Sequence, residues 1–443
     1  MSRRRKVLVA TILGSSIAFV DATVVNVALP VMGRHLGLGL AGRQWVYLSY
    51  SLALAALYLP AGALGDRIGL RRTFVGGTAG FAVASALAGA SPDGAWLLTA
   101  RGLQGVAAAF LTTSSLALLR ATFREESGRA VGLWTAWTGI ATIVGPPVGG
   151  ALVQYASWRW IFFLNLPLAA GAAVLAGAGP EPSDESSRGR FDVPGAVLLA
   201  AGLGTLTYAL VERGPWWLLV PAGAALAGAL VHEARTAAPM LPLGLFRERA
   251  FAAANAETFL VYAALAASSF YVVLYLQLVV GYSPLVASLV LIPISVVMLL
   301  LAGRFGQLAD RHGPRLYLTL GPALLAAGML LWELVTSRSA WPALAAGTLL
   351  FALGLAVTVA PITATALGAA PERYAGVAAG VNNTVSRVGG LVAVALVGLV
   401  ISLVAGRLTV ASFRAGMTVA AGLALAGAAV GAVWIPGRPR GMR

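Results

Sequence analysis

The chain has 443 residues, 59% hydrophobic and only 11% charged, with a formal net charge of +15. Soluble domains carry about 25% charged residues, so this composition excludes an ordinary soluble protein and points to an all-α polytopic membrane protein. The chain has no cysteine, and its three histidines (His35, His232 and His312) fall in loops or at helix ends; disulfides and thiolate chemistry are excluded, and no metal or cofactor is expected.

The first predicted element is an apolar run over 7–32, long enough to span a membrane, which takes about 20 apolar residues. The basic residues Arg3, Arg4, Arg5 and Lys6 precede it like the opening of a signal peptide. The run behind them is too long and lacks a small-residue cleavage site, so it reads as a retained helix. Asp21 lies near its middle. A charge at that depth costs at least about 2.5 kcal/mol, so the residue is expected to carry protons, face a cavity or hold a partner.

Further apolar runs follow at 44–64, 73–91, 95–119, 128–153, 160–178, 193–211, 215–232, 251–279, 284–303, 316–335, 341–367, 376–405 and 415–435, fourteen in all. The basic residues test this count. With the N-terminus inside, 22 of the 31 fall in inner segments and seven in outer ones, leaving Arg101 and Arg387 within helices. That bias supports an even number of spans with both termini cytoplasmic. It also accounts for the positive charge without a nucleic-acid partner.

An internal repeat sets the domain plan. Residues 64–71 and 308–315 share the pattern L-x-D-R-x-G-x-R, eight helices apart. Two six-helix bundles, 1–178 and 251–443, with two extra helices over 179–250, satisfy that offset, and repeated halves are a common transporter plan.

Four motifs, in order, give the chain its resemblance. They are residues 62–72, residues 101–105, residues 139–150, and the pair 21–30 with 158–167. On these the whole chain resembles the major facilitator superfamily, in its fourteen-span drug:proton antiporter branch. The resemblance implies the major facilitator fold, with the first motif as the loop signature, Arg101 as the helix-4 arginine and the third as the helix-5 antiporter motif. The chain departs in a short connection between Arg407 and Arg414, and in a tenth helix without an acidic residue.

Each motif has a physical reading and a plainer alternative. Burial favours a neutral Asp21 and a nearby Arg favours a charged one, so a site alternating between the two can take and release a proton; the alternative is a structural hydrogen bond. Arg101 is either its partner or a side chain snorkelling to the interface. Glu257 is either a second proton or cation site or a carboxylate at a helix N-terminus. Gly139, Gly145, Pro146, Gly149 and Gly150 allow close helix approach, and the prolines kink or end the helix; together they read as a seal against proton leak.

Gly65 and Gly69 permit the first loop's turn, and Asp66 accepts hydrogen bonds at the next helix start. Arg67, Arg71 and Arg72 serve the inside-positive bias. Their repetition at Asp310, Arg311 and Arg315 suggests a pair of cytoplasmic latches, with Arg129 as an ionic partner for Asp66. Asn26, Trp134, Trp137, Tyr262, Tyr271 and Arg387 are candidates for a substrate cavity, although membrane aromatics more often serve packing or the interfacial belt.

The reading is a proton-coupled antiporter exporting small amphipathic or cationic compounds by alternating access, as a monomer in a bacterial cytoplasmic membrane. The alternatives are a proton-coupled importer, a lipid flippase and a non-transporting scaffold. An enzyme is not expected, because no catalytic cluster or sizeable extramembrane surface is visible.

Overall fold

The structure is a computed structural model describing residues 2–123, 126–177, 192–236, 241–371 and 374–437, without the side chains of Asp66, Ser127, Ala375 and Gly376. Every regular element among the described residues is helical. Hydrocarbon offers no partner to a backbone N–H or C=O, so a spanning segment must satisfy them within itself.

The first helices are α1 (Arg3–His35), α2 (Leu40–Ile68), α3 (Leu70–Gly89), α4 (Gly94–Phe123) and α5 (Ser127–Tyr155). Then come α6 (Trp160–Phe163), α7 (Asn165–Gly177), α8 (Val193–Val211) and α9 (Leu219–Arg235). The remainder are α10 (Arg249–Leu278), α11 (Pro284–Leu289), α12 (Ile292–His312), α13 (Arg315–Trp332), α14 (Trp341–Gly368), α15 (Ala375–Ala405) and α16 (Val410–Trp434).

With α6–α7 and α11–α12 each taken as one segment, thirteen helices are long and apolar enough to cross a membrane. The remaining one, α3, has 20 residues and opens on Arg71 and Arg72; it completes the expected fourteen. One local expectation is corrected. Pro146 and Pro147 do not end their helix: α5 runs through both to Tyr155, because tertiary packing and neighbouring groups can compensate for the missing donors in a membrane helix.

The chain divides into two compact units, Met1–Leu206 with Pro215–Met240, and Thr207–Gly214 with Leu241–Arg443. Most of α8 and all of α9 therefore group with the first unit. Each unit pairs its helices by the same scheme. In the first, α3 packs on α4, α2 on α4, α1 on α5 and α7, and α3 on α7. In the second, α13 packs on α14, α12 on α14, α10 on α15 and α16, and α13 on α16.

The repeated loop pattern has a backbone cause. Its glycines, Gly69 and Gly313, take φ of 105° and 92°, a region L side chains rarely enter. Their N–H groups bond back to the carbonyls of Gly65 and Ala309, closing α2 and α12 before the next helix begins. Small residues also set the helix spacing. A methyl on Gly77 of α3 would lie 2.7 Å from the Leu111 nitrogen of α4, and one on Gly354 of α14 would lie 2.5 Å from the Leu325 nitrogen of α13. Backbones this close gain van der Waals contact, the main source of helix association in lipid.

Candidate functional site

The first unit encloses a polar cluster built from five helices. Asp21 of α1 is 2% exposed, and Arg101 and Gln104 of α4 are both fully buried. Nη1 of Arg101 donates to Asp21 Oδ2 at 2.6 Å and to Gln104 Oε1 at 2.6 Å. Nε2 of Gln104 donates to Asp21 Oδ1 at 2.9 Å and to Ser85 Oγ of α3 at 2.8 Å. Asn165, the first residue of α7, donates to Asp21 Oδ1 at 3.3 Å and to Ser85 Oγ at 3.1 Å. Arg101 Nε donates to the Val46 carbonyl of α2 at 3.2 Å, and its guanidinium lies 4.4 Å from the Tyr50 ring centre.

Three donors therefore converge on one carboxylate, and the cation among them is itself held by a carbonyl, an amide and an aromatic face. This is the condition under which a buried ion pair is tolerated; removing one partner of such a pair typically costs about 3–5 kcal/mol. Protonation of Asp21 would remove the charge that holds Arg101, and the cluster would then have to rearrange.

Local packing explains why these groups meet. Gly145 and Gly149 of α5 are buried against α1: methyls there would lie 3.3 Å from Val20 and Thr23 side-chain atoms, and against Val24. Those residues flank Asp21, so the small face of α5 clamps α1 at the level of the carboxylate. Pro146 and Gly150 are buried beside them, while Gly139 is only half-buried. At the entry to α6, Trp158 is fully buried and donates to His35 Nδ1 at 3.3 Å. Arg159 stacks on Trp158 and donates to the Ser91 carbonyl at 2.8 Å. These contacts fix the start of α7 and hence Asn165.

Gln104 and Asn165 sit inside two of the motifs quoted above without having been given a role there. Ser85 carries no sequence signal, being one of three hydroxyl residues in α3 with Thr73 and Thr78.

The second unit holds the other deeply buried acid. Glu257 of α10 is fully buried, and neither carboxylate oxygen has a hydrogen-bond partner among the described residues. It faces α16, where a methyl on Gly431 would lie 3.2 Å from Oε2 and one on Gly427 3.8 Å from Cγ. An unpaired ionised carboxylate in such a place would cost several kcal/mol, so this packing suits the neutral acid.

The loop residues lie at the surface. Arg67, Arg72, Arg129, Asp310, Arg311 and Arg315 are exposed or half-buried. Arg71 donates to the Gly177 carbonyl at 2.9 Å. The Asp66 side chain, and with it the expected pairing to Arg129, lies outside the described residues.

The cavity candidates separate. Trp137 is 55% exposed. Trp134 is half-buried, donating to Ser15 Oγ at 3.2 Å and meeting Phe19 edge-on. Asn26, Tyr262 and Arg387 are half-buried. Tyr271 is fully buried, and its hydroxyl donates to the Val394 carbonyl at 2.8 Å. That residue ties α10 to α15.

Two units of one helix-pairing scheme, each burying an acid at membrane depth, with short connections, define a membrane transporter rather than an enzyme. The model of the Major Facilitator Superfamily matches residues 11–394, and the chain belongs to that family. It is 37% identical over 406 residues to the multidrug resistance protein Stp of Mycobacterium tuberculosis, covering 89% of this chain and 75% of that one. It is 34% identical over 409 residues to a tetracenomycin C resistance and export protein of Streptomyces glaucescens, again covering 89% and 75%. The multidrug efflux pump LfrA of Mycolicibacterium smegmatis is 32% identical over 413 residues, covering 91% and 80%. Among solved structures, a POT family transporter in complex with a thioalcohol-conjugated peptide superposes with a TM-score of 0.71 over 95% of this chain and 94% of that one. At 12% identity, that likeness shows the fold alone.

Proposed function

We propose that this protein exports small amphipathic or cationic compounds, drugs or secondary metabolites, in exchange for protons, by alternating access. The observation that carries the reading is the buried Asp21–Arg101 pair with its Gln104 and Asn165 donors. Relatives named for multidrug resistance, efflux and antibiotic export support the direction and the class of substrate.

In this reading Asp21 binds the proton and Arg101 is the partner released when it does. Substrate competes with the proton through the same rearrangement, and linkage makes the effect reciprocal: if protonation weakens substrate binding, substrate must lower the proton affinity. Glu257 serves as a second proton site. The α5 face seals the first unit against leak. Asp66 with Arg67, Arg71 and Arg72, and Asp310 with Arg311 and Arg315, act as matched cytoplasmic latches, one for each six-helix half. The cavity draws on Asn26, Trp134, Trp137, Tyr262 and Arg387. The protein works as a monomer in a bacterial cytoplasmic membrane with both termini inside. A cysteine placed at position 183 of this cysteine-free chain should then be labelled only from the cytoplasmic side.

The decisive experiment is binding of a transported dye against pH, in nanodiscs, for the wild type and Asp21→Asn. Wild-type affinity should vary with pH, and the variant's affinity should be flat. Asp21→Asn should also lose proton-driven export while keeping part of its energy-independent exchange. The same pH dependence in both proteins would remove Asp21 from the coupling role.

A further inference from the structure

A recess of about 190 Å³ opens at the arginine-rich end of the second unit. Its walls come from α10 (Ala250), the α12–α13 turn (Asp310, Pro314), α14 (Pro361, Ala364) and the end of α16 (Pro436). The lining is small or proline-bearing, which keeps the helix ends apart without filling the gap. Asp310 is exposed at its wall and makes no ion pair among the described residues.

Three of these walls continue directly to Glu257. Ala250 and Glu257 lie seven residues apart on α10, two turns along one face and about 10 Å apart. Pro314 leads to Leu318, whose carbonyl carbon lies 2.7 Å from where a Gly431 methyl would sit. Pro436 leads back along α16 to Gly431, which faces Glu257 Oε2. The same helix ends carry one buried apolar cluster: Ala253, Ala254, Leu318, Ile362, Ala366 and Ile435. The recess and the acid without a hydrogen-bond partner among the described residues share the helices that carry this cluster.

Neither α14 nor α16 brings a charged residue to Glu257; Arg414 of α16 is tied to the Glu333 carbonyl at the far end. Arg315 of α13 lies by Gly437 outside the cluster, and Arg387 of α15 lies by Tyr262.

We propose that the recess is the aqueous approach to Glu257 and that the Ile435 cluster is its gate, opened when the end of α16 moves off α10 and α13. The step it serves is a proton transfer between water and a carboxylate oxygen, with only O–H bonds forming and breaking. Asp310 stands at the entrance. The proposal rests on the reading of Glu257 as a proton site but has a separate test.

Glu257→Cys gives the full-length chain a single thiol, and its labelling by a small water-soluble methanethiosulfonate is followed in everted and right-side-out vesicles. Labelling should proceed from the face bearing the recess. Ile435→Ala should speed it about tenfold, the effect of an opening made about 1.4 kcal/mol easier. Ala364→Trp, at an exposed wall position, should slow it by a similar factor. Labelling from the opposite face, or rates that neither substitution changes, would overturn the route. The role of Glu257 is read separately: if Glu257→Gln keeps proton-driven export, the coupling reading of that residue fails while the labelling result stands.

Discussion

Both units bury an acid at membrane depth, and they treat it in opposite ways. Asp21 receives three donors from two helices, one of them a guanidinium at 2.6 Å. Glu257 receives none among the described residues. The difference follows from what the neighbouring helices supply. Helix α4 brings Arg101 to Asp21, whereas its counterpart α14 carries no charged residue. Against Glu257 stand the glycines of α16, which have no side chain to offer. One helix-pairing scheme thus surrounds the acid with donors in one unit and with apolar and glycine contacts in the other, and two such sites cannot respond to a proton in the same way. Protonation breaks the first arrangement, whereas deprotonation breaks the second.

The largest expected effect comes from breaking the Asp21 site. Arg101→Met leaves Asp21 buried without its cation and should destabilise the protein by about 3–5 kcal/mol. Adding Asp21→Asn should recover most of the loss. Thermal unfolding in detergent, followed by tryptophan fluorescence, measures both; a wild-type transition for Arg101→Met would mean the pair does not hold the unit together.

Next comes the packing around Glu257. Gly431→Ala drives a methyl into the Leu318 carbonyl and toward Glu257, and should cost about 1–3 kcal/mol. Gly422→Ala on the same helix meets nothing within 4 Å and should leave the transition unmoved. Equal behaviour of the two variants would show that α16 is not tightly seated on Glu257.

Where the units agree, substitutions should agree. Gly69→Ala and Gly313→Ala both force a side chain into a positive-φ turn and should each cost about 1–2 kcal/mol. A loss confined to one of them would argue that the two turns are not equivalent.

The smallest effect on stability is expected from Glu257→Gln. If the acid is already neutral, the amide should change stability by no more than about 1 kcal/mol, while abolishing whatever proton exchange depends on it. A loss as large as that of Arg101→Met would reveal a charged partner for Glu257 and dissolve the contrast between the two units.

The sequence by itself determined the class of protein, the helices and the repeat. Spanning helices are legible because lipid demands long apolar runs, and the loop repeat is legible because a positive-φ turn admits little but glycine, at Gly69 and Gly313 alike. Asp21 stood out for the same kind of reason, a charge where a charge is expensive. What surrounds each acid was decided only in three dimensions. Gln104 and Asn165 both donate to Asp21 and Ser85 because α1, α3, α4 and α7 bring them together, and nothing local to any one helix encodes that meeting. The state of Glu257 depends on an absence, the missing side chains of Gly427 and Gly431 on α16, about 170 residues away in the chain. The contacts of Tyr271 are of the same kind: an aromatic on a membrane helix has the same local pattern whether it faces a cavity or a neighbour, and only the packing of α15 brings the Val394 carbonyl to its hydroxyl.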